Sequence, residues 1–286
     1  MQELNGRIAV ITGGASGIGL ALAERLGGEG MRLVLADIEP VALEAAVSGL
    51  RATGNDAIGV PTDVAKWSDM QALAAQAEAA FGAVHVLCNN AGVSLLGPTW
   101  ELTLDDWCWV LDVNLWGVIH GIKAFVPAMR RRGEPGHVVN VASLAAMFPI
   151  GTHAPYCSSK AAVVSISECL YSELRAEQAP IGVSAVCPGM VHTNIHRSWR
   201  NRPKGDHAWS DREQSPEWQA ASARVQGAGI APGEVAAKIL SAIREDRFWV
   251  ITHPRTIPAI VARAQRLADG LPPNKLMPED EDAFRP

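Results

Sequence analysis

Apolar residues fall along this chain in short unbroken runs, separated by longer stretches where they recur every three or four positions. The runs are R-I-A-V-I-T (7–12), R-L-V-L-A-D (32–37), A-I-G-V-P (57–61), V-H-V-L-C-N (84–89), H-V-V-N-V (137–141) and G-V-S-A-V-C (182–187). Near-continuous apolar runs of this length suit strands covered on both faces. Helical periodicity marks about 18–27, 40–52, 67–81, 104–131 and 156–177. Strand and helix alternating at this spacing predict an α/β fold: one doubly wound parallel sheet of about seven strands with right-handed crossovers. The regularity breaks after Pro188. Residues 190–230 read as an irregular insertion, the kind of long loop that serves as a lid or binding loop. A helix at 233–245, a strand at Trp249–Thr252 and a helix at about 256–268 follow. The expected organisation is one domain over 1–269, with the variable segment 190–230 inside it, and a Pro-rich acidic tail over 270–286.

Composition narrows the function. Apolar residues make up 48% and charged residues 19%, as in a well-buried globule, and the net charge of −5 lacks the basic excess of a nucleic-acid binder. The dense basic run Arg130–Arg132 reads as a solvated helix end. Five cysteines without a C-x-x-C spacing read as reduced thiols of a cytoplasmic protein. Met1–Gly6 is short and polar, and no apolar run is long enough to cross a bilayer. A small molecule is the expected partner, with neither nucleic acid nor membrane.

The first strand runs into T-G-G-A-S-G-I-G, which holds Gly13, Ser16, Gly17, Ile18 and Gly19. Glycines let the backbone turn sharply and approach a phosphate, while the following helix offers free N–H donors. A plain strand–helix turn would look the same in isolation. Asp37, which ends the second strand 18 residues beyond Gly19, sharpens the choice, because an acid there can accept from the adenosine ribose hydroxyls of a dinucleotide. It could also cap the helix near Pro40. A carboxylate at that ribose repels the extra phosphate of NADP, and neither Ser16 nor Ile38 is basic, so NAD is favoured.

Only two tyrosines occur in the chain, and one, Tyr156, stands four residues before Lys160 in Y-C-S-S-K. On a helix the two share a face. A free phenol with a pKa near 10 is ionised about once in a thousand at pH 7, so a phenol used as a base needs its pKa lowered. A neighbouring ammonium favours the phenolate.

The glycine turn, N-N-A-G (89–92), V-N-L (113–115), Ser143 thirteen residues before Tyr156, Y-C-S-S-K and P-G-M-V-H-T (188–193) occur in the order found in short-chain dehydrogenases/reductases. The resemblance covers roughly residues 5–252 and implies a Rossmann-like fold. It assigns Tyr156 as general acid/base, Lys160 as its charge partner and holder of the nicotinamide ribose, Ser143 as a hydroxyl on the substrate oxygen, and Asn114 as holder of a water in a proton relay. It also implies that Asp63 and Val64 contact adenine. Asn90, Ala91 and Gly92 would line the cofactor, while Pro188, Gly189, Val191 and Thr193 reach its nicotinamide end. His85 stands where the family often carries an acid, which puts one structural hydrogen bond in question. F-V-P-A-M-R, G-H-V-V-N-V-A-S-L-A-A and V-H-T-N-I are further similar to bacterial members that oxidise benzylic carbinols.

The implied activity is NAD-dependent interconversion of a secondary alcohol and a ketone on a bulky or aromatic substrate. The alternatives are an NADPH-dependent carbonyl reductase and a non-catalytic NAD sensor on the same fold. His153, three residues before Tyr156, is a candidate for facing the substrate. Its i, i+4 pairing with Cys157 suggests no nucleophile, and His192 with His196 lacks a third ligand, so no metal is expected. Trp100, Trp107, Trp109 and Trp116 read as packing or subunit-interface residues, and Trp199, Trp209 and Trp218 as cover for the substrate or as surface anchors. The resemblance implies a homo-oligomer, tetramer or dimer, with 104–131 and 156–177 at interfaces.

Overall fold

The computed structural model describes residues 1–203, 215–227 and 229–273. The apolar runs become seven parallel strands: β1 (Ile8–Thr12), β2 (Arg32–Asp37), β3 (Ala57–Pro61), β4 (Val86–Asn89), β5 (Gly136–Val141), β6 (Ile181–Cys187) and β7 (Trp249–Ile251). Their order is β3-β2-β1-β4-β5-β6-β7. Every residue of β1, β4, β5 and β6 is buried, whereas the edge strand β3 buries only Ala57 and Val60. Unbroken apolar runs therefore mark the middle of the sheet.

Helices cover both faces. On one side α1 (Gly17–Gly28), α2 (Pro40–Ala52) and α8 (Pro232–Glu245) bury Leu22, Leu26, Leu43, Val47, Ile239 and Ile243 against the sheet. On the other, α3 (Trp67–Phe81), α5 (Gly117–Arg132) and α6 (Ala154–Ala176) bury Met70, Leu73, Phe125, Met129, Leu170 and Leu174. Strand order reverses between β1 and β4, and ligand clefts of open parallel sheets form above that switch point.

Two local expectations need correction. The single helix expected at 104–131 is α4 (Leu104–Leu111), a π turn at Asp112–Trp116, and α5. The turn widens where Asn114 directs its side chain onto the backbone of Val93 instead of its own helix, as π turns often do at functional positions. The segment 190–230 is not wholly irregular: it contains a 3-10 helix at Ile195–Asn201 and α7 (Pro216–Gly227). The last helix, α9, spans Ile257–Ala268. Trp209 and the tail beyond residue 273 lie outside the described residues.

His85 still makes a buried structural link in place of the family's acid. Its Nδ1 accepts the Ile8 N–H at 3.2 Å and its Nε2 faces Glu134 Oε2 at 3.0 Å. A ring that accepts at Nδ1 carries its proton on Nε2, so this geometry selects one neutral tautomer.

His137 on β5 is also locked neutral. Its Nε2 lies 2.8 Å from Ser184 Oγ, whose own hydroxyl donates to Arg247 O at 2.7 Å. Serine therefore accepts from His137 Nε2–H. Burial pushes the His137 pKa down from 6.5 to about 4, with Asp246 opposing. Because the folded value is depressed, this contribution is complete above pH 6.5 and is lost as pH falls toward 4. That gap corresponds to about 3 kcal/mol. Urea unfolding at pH 7 and pH 4.5 is expected to show this loss, and His137→Gln is expected to flatten the profile. An equally steep profile in the variant would assign the acid sensitivity elsewhere.

Candidate active site

The cleft above the β1/β4 switch point begins at the glycine turn. Gly13 and Gly17 adopt φ of +63° and +54°, a region that side chains with a Cβ enter only with strain. A Cβ on Gly19 would stand 2.2 Å from Gly13 O. Ser16 is the N-cap of α1 but makes no side-chain cap bond, so the first-turn N–H groups remain available to an anion. Asn90 ties the turn to the end of β4 by donating to Thr12 O at 2.9 Å and Gly13 O at 3.1 Å.

Asp37 does not cap α2, whose N-cap is Glu39. Its carboxylate instead accepts from Ala15 N at 3.0 Å and Glu39 N at 3.1 Å, fastening the glycine turn to the end of β2. Burial raises its pKa, while the backbone bonds oppose the rise. Asp63 and Val64 follow β3 and line the same cleft, together with Ile18, Ile38, Ala91 and Gly92. Pro188, Gly189, Val191 and Thr193 line its far wall. Gly189 is positioned by its N–H to Thr252 Oγ1 at 3.1 Å, and Val191 pairs with Ile230.

Three of the four expected side chains, Ser143, Tyr156 and Lys160, line the cleft, whereas Asn114 is not among its lining residues. Asn114 is fully buried; Oδ1 accepts from Val93 N at 2.8 Å, and Nδ2 donates to Val93 O at 2.9 Å and Ser159 Oγ at 3.1 Å. Ser159 in turn donates to Tyr156 O at 2.7 Å, so the π turn and the first turn of α6 are locked together. Ser143 begins a short 3-10 turn after β5; its Oγ accepts from Ala145 N at 3.1 Å and reaches the Tyr156 hydroxyl. Lys160 is 3% exposed and donates to Val141 O at 2.9 Å, with Nζ 5.8 Å from the Tyr156 ring centre.

The electrostatics differ from the sequence expectation. Burial raises the Tyr156 pKa, and the bond from Ser143, not the Lys160 charge, opposes it. Burial also pulls Lys160 down from 10.5 to about 8, so the ammonium itself is weakened in the protein alone. Proximity on one helix face is therefore not enough to lower the phenol.

His153 lines the cleft beside Tyr156 as the N-cap of α6; Nδ1 lies 3.2 Å from Gly151 O, and burial keeps its pKa low. Burial raises the thiol pKa of Cys157, and the Ile150 N–H donated to its Sγ at 3.3 Å opposes the rise. Among the described residues no three His, Cys, Asp or Glu side chains gather as a metal site.

The complete cleft is about 560 Å³. Its apolar wall includes Val93, Trp109, Leu144, Phe148, Ile150 and Met190. Trp109 packs as expected, buried with Leu95, Leu102 and Val110, and also lines the cleft, whereas Trp199 and Trp218 are not among its lining residues. Sequence reasoning also missed Arg200, whose Nη2 and Nε meet Glu39 Oε1 at 2.6 and 3.1 Å. The partners are 161 positions apart, and no local pattern signals such a contact.

Residues 7–204 match the family profile described as short chain dehydrogenase. The chain belongs to the short-chain dehydrogenase/reductase family. Among its relatives is the C alpha-dehydrogenase of Sphingobium sp. strain SYK-6, 33% identical over 280 residues, or 98% of this chain and 91% of that protein. The 1-deoxy-11-beta-hydroxypentalenate dehydrogenase of Streptomyces avermitilis is 39% identical over 200 residues, covering 68% of this chain and 73% of that one. A family member from Burkholderia phymatum, solved in complex with NAD, superposes with a TM-score of 0.90 at 38% identity, covering 97% of this chain and 100% of that one.

Proposed function

We propose that this protein is an NAD-dependent dehydrogenase that interconverts a secondary alcohol and its ketone. The observation that carries the reading is a single cleft with an acid and an uncapped helix N-terminus at one end, and the Ser143–Tyr156–Lys160 set at the other. The residues fit a dinucleotide. First-turn N–H groups of α1 would face the pyrophosphate, and Asp37 would accept from the adenosine ribose. Bound NAD supplies the hydride acceptor.

The rest of the chemistry belongs to this chain. Ser143 Oγ holds the substrate oxygen, and Tyr156 takes the hydroxyl proton during oxidation or returns it during reduction. Lys160, drawn toward Val141 O, orients the nicotinamide ribose and adds positive charge beside the phenol. Asn114, locked to Val93 and Ser159, keeps the π turn in register with α6. The apolar wall with Trp109 and Phe148 favours a bulky or aromatic substrate. Within the same reading, His153 contacts the substrate. The enzyme is cytoplasmic and homo-oligomeric, with exposed Trp100, Leu104 and Trp116 available to a second copy, and the catalytic domain spans 1–269.

The test is reduced-nicotinamide absorbance with NAD or NADP across aliphatic, benzylic and steroidal secondary alcohols. Turnover is expected with NAD and a benzylic or larger substrate. In Asp37→Ser the NAD-over-NADP preference is expected to narrow by about tenfold, equivalent to about 1.4 kcal/mol. Turnover by the wild-type protein with NADP alone would reverse the assignment of Asp37.

A further inference from the structure

The segment that follows Thr193 does more than wall the nicotinamide end of the cleft. From Ile195 it runs back along the opening as a 3-10 helix, with Asn194, Ile195, Ser198, Arg200, Asn201 and Pro203 among the cleft-lining residues. It is pinned in three places. Ser198 Oγ accepts the Ser94 N–H at 3.2 Å. Arg200 and Asn201 both donate to one oxygen, Oε1 of Glu39, at 2.6 Å for Arg200 Nη2 and 2.9 Å for Asn201 Nδ2. Arg202 forms a buried ion pair with Asp106 on α4 and lies over the Trp109 ring, 5.3 Å from its centre.

The middle attachment has a specific location. Glu39 stands two residues beyond Asp37, and its own N–H is held by Asp37 Oδ1 at 3.1 Å. Both acids and Ile38 line the cleft. The Arg200 contact therefore sits at the corner where the adenosine ribose is expected, far from the Tyr156 end. Arg200 is further fixed by donating to Arg197 O at 2.8 Å. The two side chains of the pair are 31% and 33% exposed, accessible enough to open without unfolding the sheet.

We infer that Glu39, Arg200 and Asn201 form a latch that retains the dinucleotide. With the latch closed, the segment 195–203 bridges the cleft from its nicotinamide end to its adenosine end, and a bound dinucleotide leaves only after Arg200 releases Glu39. These are positioning residues: they act on the cofactor through the segment they hold. The inference rests on the dinucleotide reading of the cleft, and the experiment separates the two.

Release of NADH is measured by stopped-flow fluorescence, with excess NAD added to displace it, in wild type, Glu39→Gln, Arg200→Met and the double variant. Each single variant is expected to raise the dissociation rate about tenfold, equivalent to about 1.4 kcal/mol. The double variant is expected to fall well short of the product of the single effects, because each single variant already breaks the Glu39–Arg200 pair. The exchanged pair Glu39→Arg with Arg200→Glu is expected to recover most of the slow release. Trypsin gives a second readout: NADH is expected to protect the bond after Arg197 in wild type and much less in Glu39→Gln. Unchanged release rates, or additive effects in the double variant, would overturn the latch while leaving the cofactor reading intact. Failure of the wild-type protein to bind NADH at all would overturn both.

Discussion

Tyr156→Phe is expected to lower kcat for alcohol oxidation by about 10³-fold, within the range general acid–base groups contribute, with NADH affinity changed less than threefold, about 0.7 kcal/mol. Phenylalanine keeps the ring over the cleft and removes only the hydroxyl that Ser143 meets. The loss should therefore fall on the chemical step and not on cofactor binding. The pH profile carries the complementary sign. Burial raises the Tyr156 pKa in the protein alone, and the oxidative direction needs the phenolate, so kcat/KM for oxidation falls as pH drops below that pKa. A positive charge beside the phenol lowers the value. The same titration followed by ultraviolet difference absorbance should therefore move to lower pH when NAD is added and stay fixed when NADH is added. Equal profiles with both cofactor forms would remove charge from the account of how the phenol is activated.

The largest stability effect is expected at Asp106. Its carboxylate has two roles: one oxygen accepts the Thr103 N–H at 2.9 Å in the capping box of α4, and the other pairs with Arg202. Both partners of the ion pair are almost fully buried, at 3% and 0% exposed. Removing one member of such a pair leaves a buried charge unmatched and costs about 3–5 kcal/mol. Asp106→Ala is expected to lower Tm by about 10 °C, since each kcal/mol corresponds to roughly 2–4 °C in a chain of this size. Calorimetry measures it directly. Asp106→Ala combined with Arg202→Met is expected to recover much of the loss, because no unpaired charge then remains. If the double variant were no more stable than the single one, the cost would belong to the capping box instead.

Much of the fold was legible because burial and hydrophobic pattern are the same fact seen twice. The fully buried strands β1, β4, β5 and β6 come from mostly apolar runs, although β5 and β6 also bury His137, Asn140 and Ser184, and their order along the chain implies parallel crossovers. The site residues were legible where function sits at the end of a strand or on one helix face: Asp37, Ser143, Tyr156 and Lys160 all do. Asn114 was expected within one long helix but lies in a π turn, since periodicity cannot distinguish a π turn from an α-helix five residues long. The Tyr156 pKa went astray for a related reason: spacing reports proximity but not desolvation. Arg200 and Arg202 were invisible as attachments, because their partners Glu39 and Asp106 lie on other elements and ion pairs between distant segments leave no periodic trace.

The strand order bears on how the chain is made. β1 is an inner strand of the sheet, with Ala9 opposite Leu33 on one side and Val86 on the other. On a ribosome β2 and β3 follow within a few dozen residues, but β4 appears only after the third helix has been added. At roughly 5–20 residues per second the inner edge of β1 waits on the order of 4–15 s for its second neighbour. During that interval an apolar strand edge is open to pairing with other chains. The glycine turn emerges within the same opening stretch, yet Asn90, which anchors it, follows β4. Anchoring of the glycine turn and pairing of the inner edge of β1 are thus reached at the same point of synthesis, whereas Lys160 and the 188–193 wall of the cleft are added later.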